Sequence, residues 1–264
     1  MSERRSVTRK RNPDLRPLLL GGGQAVPISD SAMRLTIPCA RTYADAQLDD
    51  YHDLPRTRFP WSPPLQLSLE ARASSTAPKG TLGFGFWNDP FTLSLAQGGA
   101  ARRLPAAPNA AWFFYASPPS QMELAPGVAG NGWKAATLRA PRLPTILLAP
   151  AAAAALALAA LPGLGPAVMA AGRRVIRASE RLLESELDDW HKYEIIWEKD
   201  RVGFNVDGTK VHESRVPPSG PLGFVVWIDN QFAVASRAGK FRFGVVPTES
   251  DQWLEVANLA IVPR

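Results

Sequence analysis

Two aspartates, Asp89 and Asp229, each follow an apolar run that carries a tryptophan, Thr81–Trp87 and Leu222–Ile228. Carboxyls held near one another can share general acid and general base work. Asp49 and Asp50, in Gln47-Leu48-Asp49-Asp50-Tyr51, are further candidates, with a solvated loop as their expected setting. Nothing in the spacing brings any two of these four to a working distance, so no catalytic residue is assigned beyond Asp89 and Asp229 as candidates. His191 and His212 sit in alternating patterns and are expected to be structural or exposed. No His/Cys/Asp/Glu spacing points to a metal, and no cofactor is expected. The single cysteine, Cys39, cannot form an internal disulfide, which fits a reducing, cytoplasmic setting, and is expected to be a small buried residue.

The elements that must position these groups read as strands. Met33, Leu35 and Ile37 alternate with polar residues, as do Leu65, Leu67 and Leu69. Thr81–Trp87 sets Leu82, Phe84 and Phe86 on one face and Gly83, Gly85 and Trp87 on the other. Ala110–Tyr115 suits a strand buried on both faces or lining a cleft. His191, Tyr193, Ile195 and Trp197 alternate, followed by Val202, Phe204 and Val206. Asp207-Gly208 is a hairpin signal. Leu222, Phe224, Val226 and Ile228 continue the series, and Leu254–Ile261 closes it with one slip, as at a bulge. The 25 prolines fall mostly between these runs, which favours a loop-rich β fold over a helical one. The expected architecture is all-β, an antiparallel jelly-roll sandwich over residues 31–264.

Two stretches depart from the pattern. Residues 1–30 read as a flexible basic tail and linker. Arg4, Arg5, Arg9, Lys10, Arg11 and Arg16 against Glu3 and Asp14 give six minus two, or +4 of the chain's net +6. Without a patterned basic groove, nucleic acid is not an expected partner. Residues 143–187 read as an inserted helical hairpin. Pro150–Leu161 is nearly all alanine and leucine, and Val168, Ala171, Val175, Ala178 and Leu182 recur at helical spacing. Pro144, Pro150 and the weak hydropathy of alanine argue against a membrane crossing there. Packing on the sandwich, shallow membrane or protein contact, and a lid over a groove stay open as roles.

Trp190-His191-Lys192-Tyr193-Glu194-Ile195-Ile196-Trp197, then Arg201–Val206 ending in Asp207-Gly208, resembles the family-16 glycoside hydrolases and their concanavalin A-like relatives. Pro221–Asn230 is similar to that family's cleft strand and Trp253–Val262 to its closing strand. Gly83-Phe84-Gly85-Phe86-Trp87 is similar to the strand before the catalytic one. The resemblance implies a concanavalin A-like sandwich, with structural calcium in some relatives. It also implies that Trp87, Asn88, Asp89, Trp112, Tyr115, Trp227, Asp229, Asn230 and Gln231 lie at or near a concave face. The family's catalytic strand reads E-x-D-x-x-E. The corresponding stretch here, Asn109–Ser117, holds no carboxylate, so family-16 hydrolysis is not implied.

Three functions follow as expectations. The first is a non-catalytic, lectin-like module that binds a glycan or another polyhydroxylated ligand. The second is a glycoside hydrolase or transglycosylase with relocated acids. The third is a scaffold or membrane-peripheral protein that uses residues 143–187.

Overall fold

The computed structural model describes residues 13–90, 106–122, 125, 127–141, 167, 175–235 and 241–264. Period-two alternation gives each strand one apolar face, and two sheets bury those faces against each other. Sheet one has seven strands in the order β1 (Arg16–Leu20), β4 (Asp45–Asp49), β14 (Gly223–Asp229), β6 (Thr81–Trp87), β7 (Ala110–Ala116), β9 (Gly132–Arg139) and β10 (Arg177–Leu182). Sheet two, also of seven, runs β13 (Thr209–Ser214), β12 (Val202–Val206), β11 (His191–Trp197), β5 (Leu65–Ala73), β17 (Gln252–Pro263), β3 (Ala32–Ile37) and β2 (Gln24–Ser29). Every pairing in both sheets is antiparallel. A small third sheet joins β16 (Phe241–Val245), β15 (Gln231–Ala235) and β8 (Gln121–Met122).

Between the large sheets lies one aromatic core. Phe84, Phe86, Phe113, Tyr193, Trp197, Phe204 and Phe224 are fully buried in it. Phe84 meets Tyr193 edge-on at 5.1 Å, and Phe113 meets Phe204 at 5.4 Å and 87°. These contacts join β6 and β7 of one sheet to β11 and β12 of the other, so they fix how the sheets face.

The all-β two-sheet sandwich is as the alternation predicts. Asp207 (φ +50°) and Gly208 (φ +77°) make the β12–β13 turn, and the slip in β17 is a register shift between Ala257 and Ala260. Three expectations are corrected. Residues 16–29, read as tail and linker, form β1 and β2, edge strands of opposite sheets. Gly21-Gly22-Gly23 is the corner between them. Gly21 and Gly22 have positive φ, and a Cβ on Gly21 would lie 2.0 Å from the Tyr43 carbonyl oxygen. Residues 1–12 lie outside the described residues.

The helical reading of 143–187 fails at its end. Arg177–Leu182 is strand β10, paired with β9 from Arg177↔Arg139 to Leu182↔Lys134. Its own alternation, Arg177/Ser179/Arg181 against Ala178/Glu180/Leu182, meets an open sheet edge, and tertiary pairing overrides helix propensity. Glu184 and Glu186 follow in a loop. No helical hairpin is shown among the described residues; 142–166 and 168–174, where most of it would fall, lie outside them. Cys39 is exposed rather than buried, with its Sγ 3.2 Å from the Thr248 carbonyl.

Two glycine substitutions test whether residues 16–29 are docked. Gly208→Ala meets nothing within 4 Å and incurs only the positive-φ cost, about 1–2 kcal/mol. Gly21→Ala adds a collision with backbone. Thermal melts should show the larger loss for Gly21→Ala; equal losses would mean that the corner is not packed.

Candidate functional site

Sheet one has a second face, directed away from the core and built from the alternate residues that the core does not take. There β6 presents Thr81, Gly83, Gly85 and Trp87, β7 presents Trp112 and Phe114, and β14 presents Trp227 and Asp229. In register, Gly83 lies opposite both Phe114 and Trp227, and Gly85 opposite Trp112. A Cβ on Gly83 would stand 2.8 Å from the Trp227 ring. The glycines therefore leave room for the flanking rings to close over β6.

The rings meet. Trp112 lies 5.6 Å from Trp227 and 5.8 Å from Trp87, and Trp87 and Trp227 are nearly parallel, at 7° and 6.3 Å. Phe114 stacks on Trp112 at 5.4 Å. Tyr51 and Phe59, from the segment after β4, pack on each other at 4.9 Å and join the same cluster. Trp87 and Trp112 are half-buried, while Trp227 keeps 9% exposure. Trp87 Nε1 donates to the Tyr51 hydroxyl, and Trp227 Nε1 donates to Thr81 Oγ1 at 3.0 Å. Trp112 Nε1 has no acceptor among the described residues.

Beside the rings lies a row of buried acids. Asp45 stands directly opposite Asp229 in the β4–β14 pairing, and Gln47 opposite Trp227. Directly opposed side chains have Cβ atoms about 4.5–5.5 Å apart. Asp45 is 4% exposed and Asp229 6%. Asp229 Oδ1 accepts from Thr81 N, Thr81 Oγ1 and Gln231 N. Burial nevertheless pushes its carboxyl up to about 6 against those bonds. Burial, then the charge of Asp229, lifts Asp45 well above the carboxylate range, opposed by the Tyr43 hydroxyl, which donates to it. At the far edge, Lys134 on β9 and Glu180 on β10 form a buried ion pair of 3.1 Å.

The nine residues expected at a concave face divide in three. Trp87, Trp112 and Trp227 come together on the outer face, with Asp229 beside them. Tyr115 points the other way, into the core, because its parity on β7 is that of Phe113. The rest organise turns. Asn88 Nδ2 donates to the Ala107 carbonyl and its Oδ1 accepts from Asn109 N. Asp89 (φ +46°) offers its carbonyl to the Arg56 guanidinium. Asn230 Oδ1 accepts from Ala44 N, its Nδ2 donates to the Thr42 carbonyl, and Gln231 pairs in the small sheet.

Asp89 and Asp229 are not partners. Asp229 faces Thr81 at one end of β6, and Asp89 lies beyond Trp87 at the other, a strand of about 20 Å at ~3.3 Å per residue. Asp49 and Asp50 are not solvated loop residues either. Asp49 ends β4, is 1% exposed and accepts from Gln47 Nε2 at 2.9 Å. Asp50 accepts from Trp61 Nε1 and Phe224 N, and burial pushes it up to about 6 despite them. The sequence reading missed Asp45, although Asp45, Gln47 and Asp49 alternate with Ala46 and Leu48 in a strand pattern.

With this geometry in place, comparison with known proteins locates the resemblance. The model of the glycosyl hydrolases family 16 matches residues 168–222, which include the Trp190–Gly208 motif, so the family-16 resemblance stands over that stretch. No curated protein matches the chain. Among solved structures, a pseudo β-1,3-glucanase and immunostimulatory antigen of Mycobacterium tuberculosis aligns at 8% identity and TM-score 0.48, covering 89% of this chain and 76% of that one. A Bacteroides ovatus mixed-linkage-glucan family-16 protein, solved with product, aligns at 9% identity and TM-score 0.43, covering 91% and 86%. A sialidase aligns at 10% identity and TM-score 0.43 over 94% of this chain, which spans only 17% of its length.

The buried acids predict a pH signature. A carboxyl whose pKa is raised in the folded state stabilises the fold below its unfolded pKa and loses that contribution as pH rises through the folded one. For Asp50 and Asp229 the window runs from the ordinary carboxylate value up to about 6, and for Asp45 it extends higher. Asp45→Asn should raise the melting temperature relative to wild type at pH 8, with little difference at pH 4. A parallel pH dependence in the two proteins would contradict the assignment. Lys134→Met strands Glu180 without its cation and should cost about 3–5 kcal/mol by denaturant unfolding. The double variant Lys134→Met/Glu180→Leu should recover most of it.

Proposed function

We propose that the chain is a non-catalytic carbohydrate-binding module whose ligand lies on the outer face of sheet one. The observation that carries this reading is the cluster of Trp87, Trp112 and Trp227 on that face, in mutual contact and outside the core. Flat indole faces suit the C–H bonds of a sugar ring, and the amide of Gln47, opposite Trp227, suits its hydroxyls. The resemblance to family-16 glycosidases over 168–222 supports a polyhydroxylated ligand. Against hydrolysis weighs β7, the strand that the resemblance aligns with the family's catalytic strand, whose outer face carries Trp112 and Phe114 and no carboxylate.

A second reading rests on Asp45 and Asp229. Two opposed carboxyls with raised pKa values could divide acid and base roles in a retaining glycosidase, which needs a separation of about 5–5.5 Å. Their burial and the three donors on Asp229 favour a structural role.

Calorimetry against soluble β-glucans and galactans tests the binding reading. Wild type should bind one of them, and Trp87→Ala and Trp112→Ala should each weaken binding about tenfold, the worth of one ring contact of ~1.4 kcal/mol. Absence of binding, or binding that both variants retain in full, contradicts it. Turnover of an activated aryl glycoside that is lost in Asp229→Asn would replace it with the hydrolase reading.

A further inference from the structure

A second patterned surface lies on the outer face of sheet two, across the sandwich from the tryptophan cluster. It is laid out as one row. Val26 on β2 stands opposite Arg34 on β3, Arg34 opposite Glu255 on β17, and Glu255 opposite Arg72 on β5. Directly opposed residues share a face of their sheet. Trp190 comes one residue before His191, which pairs with Ala71, so it stands beside Arg72. The Arg72 guanidinium lies over the Trp190 ring at 5.0 Å and over the Trp253 ring at 5.4 Å, and that of Arg34 lies over Trp253 at 4.8 Å.

The row is ordered before anything binds to it. Glu255 is 1% exposed and accepts from Nε of both arginines at 2.7 Å, which fixes two side chains that would otherwise sample many rotamers. Trp190, 40% exposed, and Val26, 42% exposed, flank this locked block. Tryptophan and arginine are the residues that most often anchor protein interfaces, and side chains already held in place lose little entropy on association. Charge complementarity indicates the occupant. Two guanidinium groups share one carboxylate, so the block carries a net +1. An acidic loop adjoins it. Glu184, Glu186, Asp188 and Asp189 are exposed, and the Leu187 carbonyl accepts from Ala73 N, which anchors the loop one residue past Arg72. Trp190 stands at the junction, directly after Asp189 and stacked on Arg72. A basic block and an acidic loop on either side of one exposed ring make the surface complementary to itself, which a twofold contact requires.

We propose that this face of sheet two is the contact through which two copies of the chain associate, with a twofold axis near Trp190. Each copy lays its acidic loop on the arginines of the other, and Trp190 and Val26 lose their exposure to water. A partner of one charge sign would match only half of the surface. The two copies meet back to back, so the outer faces of sheet one point away from each other and stay open. The contact does not depend on what those outer faces bind.

Sedimentation velocity of the full chain over a dilution series reads the association. A monomer–dimer equilibrium is expected, and added salt should weaken it by screening the charge pairs. Trp190→Ser and Val26→Asp alter exposed side chains and leave Glu255 with both arginines, so circular dichroism should show the fold intact. Each should raise the dimer dissociation constant at least about tenfold. Asp188→Lys/Asp189→Lys sets lysines against the arginines of the other copy and should weaken the dimer at least as much. Leu182→Ser, which removes an exposed leucine from β10, should associate as wild type does. A chain that stays monomeric throughout the series, a dimer that tolerates the three variants of this face, or an equal loss in Leu182→Ser would overturn the proposal.

Discussion

Strand β6 sets the terms for both faces of sheet one. Its alternation sends Leu82, Phe84 and Phe86 into the core, where each is at most 1% exposed, and leaves Gly83 and Gly85 on the reverse side. A strand with phenylalanine on one side and almost nothing on the other can anchor a sandwich and still let large rings from its neighbours lie across its back. Trp112 and Trp227 reach each other only because β6 occupies so little space there. The same economy recurs on β14, where a Cβ on Gly223 would sit 2.0 Å from the Tyr51 ring. Core packing and the aromatic face are thus consequences of one register.

The buried acids divide by the partners they have. On the outer side of sheet two, Glu255 is buried but compensated. Burial alone would raise its carboxyl, yet Arg72 and Arg34 hold it below the ordinary value. On the outer side of sheet one, Asp45 and Asp229 are buried among strand ends with hydrogen bonds but no cation partner among the described residues, and both are raised. The acid paired with arginines is held in its charged form, while Asp45 and Asp229 favour the protonated form. The fold loses stability toward alkaline pH through Asp45 and Asp229, and toward acid through Glu255.

The strands that alternate cleanly were legible from sequence: β3, β5, β6, β11, β12, β14 and β17, together with the Asp207-Gly208 turn and the slip in β17. What escaped reading lacked a local signal. β10, with two arginines and one glutamate in six residues, follows alanine-rich sequence, so its local pattern resembles a helix; only the edge of β9 makes it a strand. β1 ends at a glycine triplet that reads as a linker until Tyr43 and Ala44 are seen packed against it. At the candidate site, the family resemblance marked Trp87, Trp112 and Trp227 along with Tyr115, and parity would have sent Tyr115 inward with Phe113. Asp45 could not be chosen, because its opposition to Asp229 joins positions 184 residues apart in sequence through strand pairing alone.

The central claim is that the outer-face tryptophans, and not the core ones, meet the ligand. Indole Nε1–H resonances in a ¹⁵N-labelled sample, followed during titration with a soluble β-glucan or galactan, address it directly. Signals of Trp87 and Trp112, assigned by Trp→Phe substitution, should shift with saturation, while that of Trp197, fully buried in the core, should stay fixed. Ligand-induced shifts confined to other tryptophans, or no indole shift at saturating ligand, would contradict the account.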